Sequence, residues 1–346
     1  MFSRAHDTLK YFRTPNAGFF ILLAVTCLTL LGMVVLASAS QTFSGTEYTI
    51  FKKQGIWLVL ALCGFGAVMA IDLEWARKLV WPGYAVTLAL LVTVLIIGVE
   101  VNGARRWLDL GPMRMQVSEF AKIALVFTLA HFLASNQRDL KNFLRGYVLP
   151  CFLLGVPTVL IFLQPDFGTA ALCGAVGFTL FFLAGGRLFY LVPTVLAGIG
   201  LFSVAVYLDP VRMRRITAFL DIQGNLQDGA WQLWQGILGF AAGGLGGVGL
   251  GNGRQQLAYL PEAHTDFIFP VIGEELGFFF TAGVVLLFMI IFVAGFAGLR
   301  KAPNLYQFTL ACGSLLFLTV QALINMGVVT GCLPTKGMSL PFISYG

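Results

Sequence analysis

The feature that most constrains this chain is a series of long apolar stretches, each close to the length of a membrane-spanning helix. They occur at residues 17–39, 56–71, 79–98, 118–135, 147–163, 168–184, 188–207, 267–298 and 306–331. About 20 apolar residues in an α-helix cross the ~30 Å hydrocarbon core of a bilayer. The shortest runs need flanking residues to reach that length. The pattern predicts an all-α, polytopic membrane protein with nine spans, forming a single domain over residues 1–346.

The composition supports a membrane protein and excludes a water-soluble globular domain. Hydrophobic residues make up 58% of the chain and charged residues 11%, whereas soluble domains carry roughly 25% charged residues. The net charge of +6 is spread over loops, so we assign it to contact with anionic membrane lipid and predict no nucleic-acid partner. The cysteines lie mostly in apolar runs without a CxxC spacing, which favours buried thiols over a disulfide or metal framework.

The first apolar run ends in an A-x-A pattern, Ala37 to Ala39, that is typical of a signal-peptidase site. The run is longer than the roughly 7–15 residues of a signal-peptide core, so we predict a retained first helix. Lysine and arginine counts in the loops favour a cytoplasmic N-terminus only weakly. In that topology much positive charge lies on the outer side, which an anionic ligand there would explain.

The longest segment between spans, residues 208–265, is predicted to be a large extracytoplasmic loop. Its mixture of basic, aromatic and apolar residues predicts interfacial or re-entrant helices. The glycines between Gly243 and Gly253 include a GxGxxG match, but no strand precedes it, which argues against a dinucleotide site. We interpret these glycines as a place where the backbone bends and approaches another helix or a substrate.

Four polar clusters lie at helix ends on the predicted outer side. Their sequences are NGARRWLDLGPMRMQVSEFAK (102–122), QPDFGTA (164–170), YLPEAHTDFIF (259–269) and GCLPTKGMSLPFISYG (331–346). Polar groups near the membrane interior are costly, so each cluster is either a set of paired structural residues or a functional site.

In the first cluster, Arg105 and Arg106 carry guanidinium groups suited to bidentate phosphate contacts, and Trp107 offers a face for a sugar ring or lipid. The alternative is a pair of interfacial arginines beside an aromatic belt residue. Glu119 and Lys122 are spaced to form an ion pair on one helix face. Lys122 is also a candidate substrate ligand, whereas Glu119 is interpreted as structural.

In the second cluster, Pro165 predicts a turn that places Gln164 and Asp166 between two helices. Asp166 either caps the following helix or holds Arg106 in place, and both Gln164 and Asp166 are candidate substrate ligands. Lys336, in the fourth cluster, lies in a predicted exposed turn. It is either a solvated lysine or part of a cationic pocket.

In the third cluster, Asp266 stands where the helix of run 267–298 is predicted to begin. It is either the N-cap of that helix or a general base for a hydroxyl group. Glu274 and Glu275 lie on other faces of the helix, roughly 80° and 180° around from Asp266. We interpret them as partners of lysine or arginine, or as residues that position neighbouring helices. His264 is interpreted as a hydrogen-bonding substrate ligand or as an acid.

If the four helix ends meet, Arg105, Arg106 and Lys336 would surround a carboxylate with positive charge. That arrangement suits group transfer from a diphosphate donor, because cations stabilise the departing diphosphate while the carboxylate deprotonates the acceptor. No metal-ligand cluster is evident in the sequence, although a divalent cation (Mg or Mn) would assist the leaving group.

These motifs together resemble the SEDS family (shape, elongation, division and sporulation), from about residue 17 to the end. The forms LPEAHTDFIF, GEELG, LPTKG and LPFISYG are more similar to its cell-division branch, FtsW, than to its elongation branch, RodA. The resemblance implies an integral protein of the bacterial inner membrane with ten helices, acting at the division site. Because the sequence stops soon after LPFISYG, we expect the tenth helix to be missing from it.

The resemblance also implies an activity, a site and partners. The family polymerises lipid II, an undecaprenyl-diphosphate-linked disaccharide peptide, into peptidoglycan strands by an inverting displacement. Its essential acidic residue in HTDFIF corresponds to Asp266, its Arg-Trp motif to Arg106 and Trp107, and its QPD motif to Asp166. The implied partners are a cognate class B penicillin-binding protein and other divisome membrane proteins. A lipid II flippase and a non-catalytic division scaffold are the alternatives.

The sequence departs from the family pattern at three positions. Val117 and Pro270 stand where proline and alanine are usual, and Gly236 replaces a serine of the long loop. We expect these changes to alter packing rather than chemistry.

Overall fold

The structure is a computed structural model that describes residues 17–40, 49–101, 104–109, 111, 114–226, 229–254 and 264–345. Contacts group the chain into two compact units. The first unit comprises Met1–Phe65, Ser203–Gly298 and Leu318–Gly346, and the second comprises Gly66–Phe202 and Leu299–Phe317. Both units combine segments that are far apart in sequence. The single membrane domain stays a prediction.

Helices account for most of the described residues. They are α1 (Ala17–Ser40), α2 (Thr49–Ala70), α3 (Leu73–Lys78), α4 (Val80–Ile97), α5 (Val117–Ser135), α6 (Leu149–Leu163), α7 (Phe167–Leu183), α8 (Leu188–Tyr207), α9 (Pro210–Leu220), α10 (Trp231–Gly243), α11 (Ile268–Leu276), α12 (Phe278–Leu299) and α13 (Leu305–Val329). A π-helical turn, Leu144–Val148, leads into α6. The prediction of an all-α fold is confirmed.

The apolar runs correspond closely to these helices. Within the described residues, eight helices are long and apolar enough to cross a membrane, and the shorter α7 matches the remaining run. The helix Thr49–Ala70 begins before the run 56–71 and covers it up to residue 70, and the run 147–163 lies inside the span Leu144–Leu163. The short runs are therefore extended by flanking residues, as expected. The protein is a multi-pass membrane protein, and its exact number of crossings stays a prediction.

The sequence predicts one helix over residues 267–298, and this prediction is wrong. The structure contains two helices, α11 and α12, separated by Gly277, whose φ is +81°. This left-handed conformation favours glycine. A Cβ atom at Gly277 would also collide with the backbone nitrogen of Gly247. A Cβ atom at Gly247, whose φ is +77°, would collide with the Glu275 carbonyl, so glycine is required at both positions.

The glycine-rich segment, residues 244–254, supplies hydrogen bonds at this break. The Phe278 amide donates to the Gly244 carbonyl over 2.9 Å. The Val248 and Gly249 amides donate to carbonyls in the last turn of α11, over 2.9 and 3.0 Å. Non-helical backbone at membrane depth is tolerated only where protein or water satisfies it. The glycines thus serve the close backbone approach that the sequence predicts.

In the described part of the predicted loop, residues 208–226, 229–254 and 264–265, there are two α-helices, α9 and α10. Helix α10 packs against α11, where a Cβ atom at Gly243 would collide with the Gly273 carbonyl. The rings of Phe240 and Phe269 meet edge to face at 5.6 Å in the same contact. This packing holds α11 along its length. An interfacial or re-entrant placement of the loop helices stays a prediction.

The second unit is built on helices α4 to α7, which contact one another in sequence order. Its core consists of aliphatic side chains that are at most 2% exposed: Leu91, Leu125, Leu129, Ile161 and Leu180. The Tyr84 hydroxyl donates to the Leu153 carbonyl over 2.9 Å and links α4 to α6. Buried hydroxyl groups need such partners.

A small antiparallel sheet precedes α5 and is missing from the sequence prediction. Its strands are β1 (Val99–Val101), β2 (Ala104–Asp109) and β3 (Arg114–Gln116), in that spatial order. Trp107, on the central strand, pairs with Val99 on one side and Gln116 on the other. Strands this short give little alternating pattern, so sequence reasoning assigned the cluster to a helix end.

Candidate active site

Asp266 lies in a turn, residues 264–267, immediately before α11. The N-cap residue of α11 is Phe267, one position after Asp266, and the Phe267 side chain makes no capping hydrogen bond. The alternative that Asp266 is the N-cap is therefore wrong. Its side chain is half-buried, so it remains accessible to a substrate while protein surrounds part of it.

The backbone of this turn is fixed from two directions. The Asn325 side-chain amide of α13 donates to the Asp266 carbonyl over 2.8 Å. The Ser344 hydroxyl donates to the Thr265 carbonyl over 2.6 Å, and the Tyr345 amide donates to the His264 carbonyl over 2.9 Å. The Asp266 carboxylate is thus attached to a rigid support, which is what preorganised catalysis needs.

The segment that contains Lys336 lies against the Asp266 carboxylate. A Cβ atom placed on Gly337 would be 2.5 Å from Asp266 Oδ2. The ammonium nitrogen of Lys336 is buried, so the interpretation of a solvated lysine is wrong. The structure brings the third and fourth predicted clusters together at this point.

His264 contributes to the same contact through its backbone and its ring. The ring centroid lies 5.8 Å from that of Tyr345, and its Nδ1 atom is buried. A role as substrate ligand or acid stays a prediction.

Glu274 and Glu275 are 2% and 1% exposed. Glu274 Oε1 accepts from the Arg254 backbone amide over 2.7 Å, and Glu275 Oε1 accepts from the Gly251 amide over 2.9 Å. Glu275 Oε1 also accepts from the Ser38 hydroxyl of α1 over 2.8 Å. These contacts fit the interpretation that the two carboxylates position neighbouring segments, because they hold the glycine-rich segment and α1 against α11.

In the second unit, Arg106 holds the QPD turn. Its Nε donates to the Gln164 carbonyl over 3.2 Å and its Nη2 donates to the Pro165 carbonyl over 2.6 Å. The Asp166 carboxylate instead caps α7 through the Thr169 amide, over 3.3 Å. Of the two alternatives for Asp166, the N-cap is therefore confirmed, and the alternative that its carboxylate holds Arg106 is wrong. The remaining guanidinium N–H groups of Arg106 are the ones suited to a phosphate.

Gln164 is fully buried beside this turn. Its side-chain amide donates to the Leu91 carbonyl over 3.1 Å, which ties the turn to α4. The Gln116 amide approaches Asp166 Oδ2 at 3.4 Å. A direct contact of Gln164 or Asp166 with substrate stays a prediction.

The remaining cationic residues of the first cluster differ in exposure. Arg105 is 54% exposed and lies 3.6 Å from Glu100, so it is free to reorient toward a ligand. Lys122 forms the expected ion pair with Glu119, at 2.8 Å, and its side chain is 8% exposed. This pairing favours a structural role for Lys122 over substrate binding. Trp107 is half-buried, and its role as a sugar platform stays a prediction.

We expect Arg106→Lys to lower the free energy of unfolding by about 0.5–1.5 kcal/mol, the usual net contribution of a hydrogen bond. A lysine ammonium cannot reproduce the planar fork that reaches both carbonyls. Arg105→Lys is the matched control and should cause no measurable change, because its ion pair is exposed. Thermal or denaturant unfolding of the purified variants measures the difference. Equal effects of the two substitutions would contradict the positioning role of Arg106.

A metal ion held by side chains alone needs several ligands in one place. Within the described ranges, no group of three or more His, Cys, Asp or Glu side chains is arranged to hold a metal ion. A divalent cation shared with a substrate is a different case, because Mg²⁺ is commonly bound through one or two carboxylates together with phosphate oxygens. Asp266 fits that second arrangement.

Two of the departures from the family pattern face each other. A Cβ atom at Gly236 would lie 3.3 Å from Pro270 Cγ, so a larger residue at position 236 would be tight against the proline ring. The two changes therefore compensate in volume where α10 packs on α11. Val117 is the first residue of α5, a position that also accepts proline.

Sequence reasoning missed Asn325 and Gln321, which lie in the apolar run of α13. Gln321 donates to the Ser339 carbonyl over 3.0 Å, and Asn325 donates to the Met338 carbonyl over 2.6 Å. The available signal was two amide side chains four residues apart in the second half of a largely apolar helix. Such residues share one helix face.

The fold and the site define a class: a multi-pass helical membrane protein whose accessible carboxylate is fixed at the start of a broken helix. The chain matches the FTSW_RODA_SPOVE family, described as cell cycle protein, over residues 19–346. The chain belongs to this family, and the family predicted from the motifs is confirmed.

Two curated relatives from different bacteria share one name. The chain is 36% identical over 325 residues to the probable peptidoglycan glycosyltransferase FtsW of Aeromonas salmonicida, covering 91% of this chain and 82% of that protein. It is 39% identical over 343 residues to the protein of the same name from Coxiella burnetii, covering 94% and 90%.

Solved structures show the same fold. A chain from a peptidoglycan synthase complex that coordinates polymerization and crosslinking superposes with a TM-score of 0.79 at 30% identity, covering 94% of this chain and 91% of that chain. The rod shape determining protein RodA of Thermus thermophilus has a TM-score of 0.69 at 27% identity, covering 94% and 89%.

Proposed function

We propose that the protein is a peptidoglycan glycosyltransferase that polymerises lipid II at the outer face of the cytoplasmic membrane during cell division. Family membership and the names of the relatives support the enzyme class. The observation that carries the mechanism is the Asp266 carboxylate, which is half-buried, lies against the Lys336–Gly337 segment and belongs to a turn fixed by three hydrogen bonds.

Asp266 acts as the general base. It accepts the proton of the 4-hydroxyl of the GlcNAc of one lipid II molecule as that oxygen attacks the anomeric carbon of the lipid-linked donor chain. A carbon–oxygen bond forms to the acceptor, and the bond from the anomeric carbon to the diphosphate oxygen breaks. Undecaprenyl diphosphate leaves with the electron pair. A single displacement converts the α-linked donor to a β-linked product.

The leaving diphosphate develops negative charge that cationic groups must stabilise. We assign this role to Arg105, Arg106 and Lys336. Arg105 is the most exposed of the three, and Arg106 keeps N–H donors beyond those that bind the QPD turn. A divalent cation, Mg or Mn, would add charge neutralisation at the diphosphate when bound.

The partners follow from the same proposal. A class B penicillin-binding protein crosslinks the strands, and other divisome membrane proteins place the pair at the division site. The substrates approach through membrane lipid, and the N-terminus is cytoplasmic. The similarity to a chain of a peptidoglycan synthase complex supports an assembly of this kind.

The test is polymerisation of fluorescent lipid II by the purified protein in lipid vesicles, with and without the penicillin-binding partner and with each divalent cation. We expect glycan ladders on a gel that disappear when lysozyme digests them. Labelled lipid II that crosses between leaflets without forming glycan would contradict the proposal and favour a flippase. Absence of both products, with the partner bound, would favour a scaffold.

A further inference from the structure

Helix α13 carries two buried amide side chains on one face, in a helix that is otherwise largely apolar. Gln321 is 7% exposed and Asn325 is 1% exposed. Burying an amide is costly unless hydrogen bonds replace those to water. Both NH₂ groups donate to backbone carbonyls of the segment that follows Lys336, whereas Asn325 Oδ1 is buried without a hydrogen-bond partner among the described residues.

Asn325 differs from Gln321 in one respect. Its Nδ2 atom donates to two carbonyls at once, that of Met338 over 2.6 Å and that of Asp266 over 2.8 Å. Gln321 Nε2 instead donates to the Ser339 carbonyl and approaches the Ser339 hydroxyl. One NH₂ group therefore joins the Asp266 turn to the chain that leaves Gly337.

We propose that Asn325 is a positioning residue for the Asp266 carboxylate, an inference that rests on the proposed function. The two hydrogens of its amide bind the Asp266 and Met338 carbonyls at the same time, which fixes the distance between these two backbone segments. Gly337, which adjoins Met338, lies directly against Asp266 Oδ2. A change at Asn325 would therefore move the carboxylate relative to the Lys336–Gly337 backbone without touching a substrate.

The chemistry of the side chain makes this role specific to an amide. A leucine of similar size has no donor, and an aspartate only accepts hydrogen bonds when ionised. Either replacement leaves the Asp266 and Met338 carbonyls without this donor. A displaced reacting group slows the chemical step, because a misplacement of about 1 Å can cost 10²-fold in rate.

The experiment compares Asn325→Leu and Asn325→Ala with Gln321→Leu in the lipid II polymerisation assay. We expect both Asn325 variants to lower kcat by about 10²-fold with KM changed less than about twofold, which is the pattern of an interaction needed in the transition state. Gln321→Leu, from the same helix face and with the same amide chemistry, should stay within about threefold of wild type. Rates are normalised to folded, monodisperse protein.

Hydrogen–deuterium exchange supplies a readout that does not depend on activity. We expect faster exchange in residues 264–267 and 338–345 of the Asn325 variants, with α10 and α11 unchanged. Unchanged kcat and unchanged local exchange would overturn the inference, as would equal losses in the Gln321 and Asn325 variants. If the Asn325 variants exchange faster in these residues but the wild-type protein makes no glycan, the structural role of Asn325 stands and the proposed function is overturned instead.

Discussion

Asp266→Ala abolishes detectable glycan synthesis: we expect the polymerisation rate to fall by about 10²–10⁴-fold, the usual contribution of a general base. The carboxylate is half-buried, and the Asn325, Ser344 and Tyr345 hydrogen bonds are made to the turn backbone, so they survive the substitution. The variant should therefore fold like wild type. The measurement is the initial rate of lipid II consumption, with thermal unfolding and partner binding recorded on the same preparation.

Asp209→Ala is the matched control for this variant. The Asp209 carboxylate caps α9 by accepting from the Val211 and Arg212 amides, over 2.9 and 3.2 Å. Its removal should reduce stability by about 1 kcal/mol, as for other N-cap residues, and leave the rate per folded molecule unchanged. Full activity in a folded Asp266→Ala protein would remove Asp266 from the mechanism and direct the search to Asp166.

The second large effect is expected for Gly337→Ala. A methyl group at this position would be 2.5 Å from Asp266 Oδ2 and 3.4 Å from its Cγ, closer than van der Waals contact allows. The carboxylate must move, and a displacement of about 1 Å can cost 10²-fold in rate. We expect kcat to fall by about that factor while KM changes little, measured by initial rates over a range of lipid II concentrations.

Gly283→Ala is the control, because a Cβ atom there meets nothing within 4 Å. It should preserve both rate and stability, since alanine is the better helix former in α12. Equal kcat values for Gly337→Ala and wild type would show that the Asp266 carboxylate adopts another rotamer during catalysis. The geometry beside Gly337 would then not be the reactive one.

Much of the fold could be predicted from the sequence because membrane spans depend on a simple quantity, the length of an apolar run. Helices α1 and α8 match their predicted bounds to within one residue. The break at Gly277 could not be predicted in this way. It depends on backbone hydrogen bonds from residues 244–249, which are distant in sequence and leave no mark on local hydropathy.

The candidate site was predictable in its residue types but not in its contacts. Asp266 stood out as a carboxylate at a helix end, and Glu119 and Lys122 had the spacing of the ion pair they form. Asp166 and Arg106 were considered as partners of each other, but each binds backbone groups instead. Asp166 caps α7, and Arg106 donates to carbonyl oxygens. Sequence motifs do not show when the partner of a charged side chain is backbone, because every residue supplies the same backbone groups.

The broken helix has a consequence for how this part of the chain folds. Helix α11 has nine residues, too few for a stable isolated helix in water, and it obtains its last-turn partners from residues about 25 positions earlier. Neither segment is complete without the other, so the glycine-rich segment and α11 should form and open as one cooperative folding unit. A substitution among residues 244–249 would then reach Asp266 through the stability of that unit rather than through any direct contact.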